Sequence, residues 1–228
     1  MRSNIIEPHL NNTKKLGKIS EFNINPFLLP YLANYYNGNT NYRSLAEALI
    51  LPRVLGTSIT TTFGNAAQVF VSTVFSDTNF GSAASGIDIQ FIDAVDGRLK
   101  YCQLKAGPNS INSGDVETIE GHFKGVRNLA RTNNMNVQVD DMVLGILYGE
   151  KSELNGFINK VGENYPVYTG KEFWFRFTGD EDFYEDLALA MAEVADEVSA
   201  REVVEQTIES LAEDLIKNYP EISKTKVL

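Results

Sequence analysis

Three polar residues near the middle of the chain have the types and the spacing needed to hydrolyse a phosphodiester bond. Asp88 lies in one predicted strand, and Gln103 and Lys105 lie two residues apart in the next. A carboxylate and an amide oxygen can both bind Mg²⁺, which prefers oxygen ligands. A bound divalent ion lowers the pKa of an attacking water, and a nearby lysine stabilises the charge that develops on phosphorus. The same pattern also fits a surface hairpin with a single Asp–Lys pair.

A predicted β-hairpin brings these residues together. Residues 87–95 and 98–105 are typical of strands, and Asp96-Gly97 between them favours a two-residue turn. Such a turn places Asp88 opposite Lys105, and facing residues share one side of a hairpin. The polar residues predicted on this side are Asp88, Gln90, Gln103 and Lys105. The other side is predicted to carry the core residues Ile87, Ile89, Phe91, Cys102 and Leu104, with an ion pair between Asp93 and Lys100.

The surrounding pattern mixes strands with helices, which predicts an α/β fold: a mixed central sheet flanked by helices. Further strands are predicted at 142–148 and 166–168, a loop at 76–86, and a capping box of Ser199 with Glu202. Helices are predicted at 27–36, 42–50, 65–74 and 115–131, with two more near the C-terminus. We expect a mobile arm at 1–22, a core domain at 23–178 and a helical segment at 179–228 that packs on the core or on a dimer partner.

Charge is distributed unevenly along the chain. The net charge is −10, but residues 179–214 hold 13 acidic side chains and one basic one, so the rest of the chain is close to neutral. This acidic helical pair is expected to lie away from any nucleic acid, while a basic surface remains possible elsewhere. One cysteine, no apolar run of about 20 residues and no signal sequence predict a cytoplasmic protein that does not enter a membrane.

A wider set of motifs resembles a known group of nucleases. Residues 86–88 (GID) followed by residues 103–109 (QLKAGPN) resemble the PD-(D/E)XK signature, in its form with Gln at the middle position. Residues 24–27, 50–56 and 168–174 resemble, in the same order, segments of type II restriction endonucleases that cut interrupted GGNCC-type palindromes. The resemblance spans about residues 23–177 and is more specific than the catalytic signature alone.

The resemblance implies an enzyme that cuts double-stranded DNA with Mg²⁺ and has a PD-(D/E)XK restriction-endonuclease-like core. It assigns Asp88, Gln103 and the backbone carbonyl of Leu104 to the metal, and Lys105 to catalysis. Gln103 departs from the usual acid, so another carboxylate is expected to help. Glu47 is the first candidate, and Asp115 and Glu117 are the next.

Residues around this signature are candidates for DNA contact. The resemblance places Asn109, Ser110 and Asn112 near the scissile phosphate, although a turn needs the same residue types. Lys124 and Arg127 share a helix face that is suited either to phosphates or to solvent. His122 is not expected to be catalytic.

Three functions remain open at this point. The first is a homodimeric restriction endonuclease with a separate cognate DNA methyltransferase, since two-fold symmetry suits a palindromic site. The second is a repair or branched-DNA nuclease of the same superfamily. The third is a non-catalytic protein-interaction module that acts through the acidic helices.

Overall fold

The computed structural model describes residues 6–74, 85–196 and 200–222. Contacts divide the chain into two compact units, one formed by Met1–Ala66 with Ala192–Leu228 and the other by Ala67–Met191. The helices are α1 (Glu7–Lys15), α2 (Leu28–Asn37), α3 (Tyr42–Pro52), α4 (Ile59–Val74), α5 (Ser113–Thr132), α6 (Gly156–Gly162), α7 (Gly170–Thr178), α8 (Phe183–Asp196) and α9 (Ala200–Asn218). The strands are β1 (Ile89–Ile92), β2 (Leu99–Lys105), β3 (Met142–Ile146) and β4 (Val167–Thr169).

The second unit is built on a mixed sheet with the order β1-β2-β3-β4. β1 and β2 are antiparallel, whereas β2, β3 and β4 are parallel and are joined through α5 and α6. The unit therefore has the predicted architecture, a mixed sheet with flanking helices. The α/β fold class is confirmed.

Each face of the sheet is covered by its own hydrophobic cluster. On one face, Phe123 and other buried residues of α5 and α6 pack against Leu144 of β3. On the other, Phe173 and Trp174 of α7 pack against Cys102 of β2. Every residue of β3 is buried, as expected for a strand with helices on both sides.

Helix α5 begins and faces the sheet for reasons that are visible in the sequence. Asn112 is its N-cap, and it forms a capping box with Asp115. Five of its apolar residues recur at helical spacing and are buried. These residues are Val116, Ile119, Phe123, Val126 and Ala130. The helix predicted at 115–131 is confirmed.

The hairpin register differs from the prediction by two residues. β1 pairs Phe91 with Lys100 and Ile89 with Cys102, and the ladder closes where the Asp93 N–H donates to the Arg98 carbonyl at 2.9 Å. The loop therefore consists of residues 94–97, not of Asp96-Gly97 alone. Within the paired strands, Gln90, Gln103 and Lys105 still share one side, because side chains alternate along a strand and a shift of two residues preserves the faces.

Asp93 explains the longer loop. Its carboxylate is fully buried, accepts a hydrogen bond from the Val95 N–H at 2.8 Å and pairs with Arg176 Nη1 at 2.8 Å. Gly97, with φ +68°, supplies the left-handed residue that ends the loop. The predicted pair between Asp93 and Lys100 is therefore wrong.

Two further residues differ from the predicted hairpin. Lys100, which was expected to pair with Asp93, instead donates to Asp96 Oδ2 at 2.6 Å and lies 3.4 Å from Asp141 Oδ1. Ile87, which was expected on the same side as Phe91, packs in the opposite cluster with α5. It precedes the regular strand, so strand alternation does not control its direction.

Lys100 and Asp141 form a buried ion pair that is expected to be essential for stability. Their side chains are 1% and 2% exposed, and Arg98 Nε also donates to Asp141 at 2.7 Å. Removal of one partner of a buried pair costs about 3–5 kcal/mol because it leaves an uncompensated charge. We therefore expect Asp141→Leu to lose about this free energy of unfolding, measured by urea denaturation. The double variant Lys100→Met/Asp141→Leu should lose less than the sum of the single changes, and an additive loss would contradict the pairing.

The same pair predicts how stability depends on pH. Burial acts to raise the pKa of Asp141, but hydrogen bonding from Arg98 and the nearby Lys100 outweigh it, and the net pKa is lowered. A lowered pKa in the folded state stabilises the protein above the ordinary Asp value of about 4, and this contribution is lost as the pH falls through the folded-state pKa. The advantage of the parent protein over Asp141→Asn should therefore shrink on acidification.

The first unit is helical, with a core shared by α2, α3 and α9. Residues 1–22 were expected to be a mobile arm, but α1 occupies Glu7–Lys15 and Leu16 is buried in this core. Ile19 N–H donates to Asp214 Oδ2 at 2.8 Å, which ties the segment to α9. The mostly polar sequence of α1 concealed this packing.

Some predictions fall partly or wholly outside the described residues. Most of the loop predicted at 76–86 and Ser199 of the predicted capping box lie there. The predicted domain boundaries stay a prediction. In the described part of the chain, none of the helices is long and apolar enough to cross a membrane.

Candidate active site

Asp88 is held against the middle of β2 by two hydrogen bonds. Its N–H donates to the Cys102 carbonyl at 3.0 Å, and its Oδ2 accepts the N–H of Leu104 at 2.7 Å. These contacts flank Gln103, so Asp88 lies opposite that residue rather than opposite Lys105. The residue is exposed overall, yet partial burial of its carboxyl raises its pKa, and hydrogen bonding and nearby positive charge only partly oppose the shift.

Gln103 is 7% exposed, and one end of its amide points at a histidine. Its Nε2 lies 2.8 Å from Nδ1 of His122 on α5. Its Oε1 is buried and has no hydrogen-bond partner among the residues that the structure describes. A buried carbonyl oxygen without a partner is costly, so this atom is suited to an external ligand such as a cation or a water.

Lys105 follows on the same side of β2, at the end of the strand. Its side chain is 27% exposed, and its Nζ lies 3.4 Å from Asp115 Oδ1 in the first turn of α5. The Asn112 N–H is the main reason that the pKa of Asp115 is lowered, and Lys105 adds to the effect. Asp115 therefore stays ionised beside Lys105 and orients its ammonium group.

Helix α5 runs back along β2, and this direction explains which residues meet. Asp115, near the start of the helix, contacts Lys105 at the end of the strand, while His122 lies two turns further on and contacts Gln103. Sequence reasoning set His122 aside. Its spacing from Asp115 on one helix face is the signal that could have found it, since a helix between parallel strands runs antiparallel to both.

Two of the three loop residues proposed for DNA contact have local structural roles. Ser110 Oγ donates to the Gly107 carbonyl at 2.6 Å, and Asn112 caps α5. Asn109 is exposed. The loop itself is fastened by Asn155, whose N–H donates to the Pro108 carbonyl at 3.1 Å. Contact of these residues with DNA stays a prediction.

Three further candidates for DNA contact or metal binding are Lys124, Arg127 and Glu47. Lys124 and Arg127 are both exposed on α5, and Lys124 lies 3.6 Å from Glu120. Glu47 belongs to the first unit, where it pairs with Arg43 Nε at 3.0 Å and accepts a hydrogen bond from Asn37. These contacts give Glu47 a structural role, and its help to the metal stays a prediction.

The donor set is small for a metal centre. In the described ranges, no group of three or more His, Cys, Asp or Glu side chains could hold a metal ion. The carboxylates of this cluster are those of Asp88 and of Asp115, which pairs with Lys105, and Gln103 Oε1 and backbone carbonyls are further oxygens. Mg²⁺ tolerates such a set because it keeps several water ligands.

Comparison with known families agrees with the motifs and the fold. The family model described as type II restriction endonuclease EcoO109I matches residues 2–199. The chain belongs to the EcoO109I family of type II restriction endonucleases. No curated protein matches it.

Membership of the EcoO109I family makes the chain an endodeoxyribonuclease that acts on double-stranded DNA. The predicted resemblance to type II restriction endonucleases is confirmed. Restriction endonucleases generally use a divalent metal ion, and Gln103 Oε1, which has no partner within the described ranges, fits that requirement. The non-catalytic interaction module is not supported.

Proposed function

We propose that this enzyme cuts both strands of a short palindromic DNA site with Mg²⁺ bound between Asp88, Gln103 and the Leu104 carbonyl. One observation carries the proposal: the buried Oε1 of Gln103 has no hydrogen-bond partner among the described residues, and Asp88, whose carboxyl pKa is raised by burial, lies opposite Gln103 and accepts the N–H of Leu104. Both features cost stability in the free protein. A bound cation would relieve both at once.

Each residue of this cluster has a separate task in the proposed reaction. Mg²⁺, when bound, would polarise a phosphate oxygen and lower the pKa of the attacking water. Asp88 supplies the negative charge that attracts the ion, and its contact with the Leu104 N–H keeps it in place. Lys105, whose Nζ lies 3.4 Å from Asp115 Oδ1, would hold the nucleophile or neutralise the charge on the phosphorane.

Digestion of plasmid DNA distinguishes a restriction endonuclease from a repair nuclease. We propose the restriction activity because the family match covers most of the chain and not the catalytic signature alone. Cleavage with Mg²⁺ should then give a fixed set of discrete fragments whose ends share one palindromic sequence. Degradation to a smear, or cleavage confined to branched DNA, would favour the repair or branched-DNA nuclease.

The proposed partners follow from the palindrome. A homodimer presents two active sites related by the same two-fold axis as the DNA, so each copy can cut one strand. Sedimentation of the free protein tests this state directly. A separate methyltransferase that modifies the same site is expected as the protective activity, and not as a stable partner.

The acidic segment at 179–214 is proposed to lie away from DNA, since its net charge is −12. We expect that reversing the charge of Asp186, Glu193 and Glu213 leaves the salt dependence of DNA binding almost unchanged. These positions avoid the glutamates that pair with Arg43. Binding measured against salt concentration checks this, and a slope that shifts by several units would place the segment near phosphates.

Lys124 and Arg127 supply the matched comparison for that experiment. If these exposed residues of α5 contact phosphates, Lys124→Ala and Arg127→Ala should each reduce the salt slope by about one. An unchanged slope for both would assign them to a solvated helix face.

A further inference from the structure

An amide at position 103 creates a problem of orientation that a carboxylate would not have. Both ends of a carboxylate are oxygens, whereas an amide has an oxygen at one end and a donor –NH₂ at the other. If the amide of Gln103 turned over, it would present hydrogens to the place where a cation is proposed to bind. Something must therefore select one of the two orientations.

His122 makes the contact that can select it. Nδ1 of its ring lies 2.8 Å from Gln103 Nε2. When the ring carries its proton on Nε2, Nδ1 is an acceptor and holds the –NH₂ end of the amide. Oε1 then points away from the ring, which agrees with its being buried without a partner in the described part of the chain.

Gly86 packs directly against the ring of His122. A Cβ at position 86 would lie 2.2 Å from Cγ and 2.3 Å from Nδ1 of His122, far inside van der Waals contact. Gly86 also has φ +83°, a conformation that favours glycine. The backbone just before Asp88 therefore packs directly on the ring and restricts where Nδ1 can point.

We propose that His122 is a positioning residue that fixes the amide of Gln103 with Oε1 directed at the metal. This inference rests on the proposed function, because it takes Gln103 as a metal ligand. It explains how a chain with Gln in place of an acid can still present an oxygen at this position. It also gives a physical reason for glycine in the motif of residues 86–88.

The first test needs neither metal nor DNA. Nitrogen NMR of the ¹⁵N-labelled protein, recorded with chelator at a pH where the ring is neutral, reports which ring nitrogen of His122 carries the proton. We expect the proton on Nε2 and a contact between Nδ1 and the side-chain –NH₂ of Gln103. A proton on Nδ1 would overturn the proposal, since Oε1 would then accept from the ring.

The second test uses two substitutions of similar bulk. His122→Leu removes the acceptor, whereas His122→Asn keeps an oxygen at about the position of Nδ1. We expect His122→Leu to need about 10–100-fold more Mg²⁺ for half-maximal cleavage, as for other residues that orient metal ligands. His122→Asn should stay within a few-fold of the parent enzyme. Equal behaviour of the two variants would contradict the proposed role.

Combining His122→Leu with Gln103→Glu separates the role of His122 from the proposed metal site. In Gln103→Glu both ends of the side chain are oxygens, so His122→Leu should there change the Mg²⁺ requirement little. A full effect of His122→Leu in the Gln103→Glu protein would overturn the positioning role.

If Asp88→Asn retains cleavage, the proposed metal site itself fails, whatever the result for His122. If His122→Leu does not fold, the NMR measurement and His122→Asn still decide the question.

Discussion

Asp88→Asn and Lys105→Ala are each expected to reduce the rate of DNA cleavage by at least about 100-fold, the usual effect of removing a group that stabilises charge in a transition state. Asn keeps the shape of Asp88 but loses the negative charge that attracts the cation. Ala removes the ammonium group that Asp115 orients. The measurement is single-turnover cleavage of a plasmid that contains the site, with enzyme in excess.

Both variants should remain folded and bind DNA. Since burial raises the pKa of Asp88, a neutral Asn at this position should not lower the midpoint of thermal unfolding in chelator. Asp186→Asn and Lys160→Ala, at exposed positions of the same unit, are matched controls and should cut at the parent rate. Near-parental cleavage by either Asp88→Asn or Lys105→Ala would remove that residue from the site.

Substitution of Gln103 is expected to abolish or retain DNA cleavage according to whether the new side chain carries an oxygen. Gln103→Leu has similar bulk and no oxygen donor, so we expect it to lose cleavage by at least about 100-fold with little change in stability. Gln103→Glu adds a negative charge beside Asp88, and we expect it to keep activity and reach half-maximal rate at lower Mg²⁺. Cleavage rate measured against Mg²⁺ concentration compares the three proteins.

An active Gln103→Leu variant would mean that Gln103 does not bind the metal. If Gln103→Leu stays active with an unchanged Mg²⁺ curve, the amide serves only to pack against His122, and other residues hold the metal. Glu47 would then be tested next, with Glu47→Gln compared with Arg43→Gln, since the two residues form an ion pair. Loss of cleavage in Glu47→Gln alone would separate a role in the site from a role in that pair.

Sequence alone was sufficient to group the polar residues of the hairpin on one side. Strand alternation has a period of two, and this held for Gln90 and Gln103 even though the register was shifted. The register shift could not be predicted because Asp-Gly occurs in more than one type of hairpin loop. The contacts of Asp93 determine which loop forms. The carboxylate of Asp93 pairs with Arg176, far away in the sequence.

The other differences between prediction and structure, at His122 and α1, also arise from contacts between residues that are far apart in the sequence. His122 joins the site only because α5 packs along β2, and its spacing from Asp115 puts both on one helix face without showing that this face reaches Gln103. α1 is mostly polar in sequence, and its place is set by contacts that the helix and the residues after it make with α9. The roles proposed for the site residues rest on the family resemblance, since composition and periodicity do not contain them.

The chain has one tryptophan, and its position makes it a spectroscopic reporter of one unit only. Trp174 is 2% exposed, donates its indole N–H to the Leu147 carbonyl at 2.8 Å and stacks on Phe183. All three residues belong to the unit that carries Asp88 and Gln103. Its fluorescence should therefore shift to longer wavelength when the sheet unit unfolds, whereas circular dichroism follows the helices of both units. A separation of the two unfolding curves would show that the units melt independently.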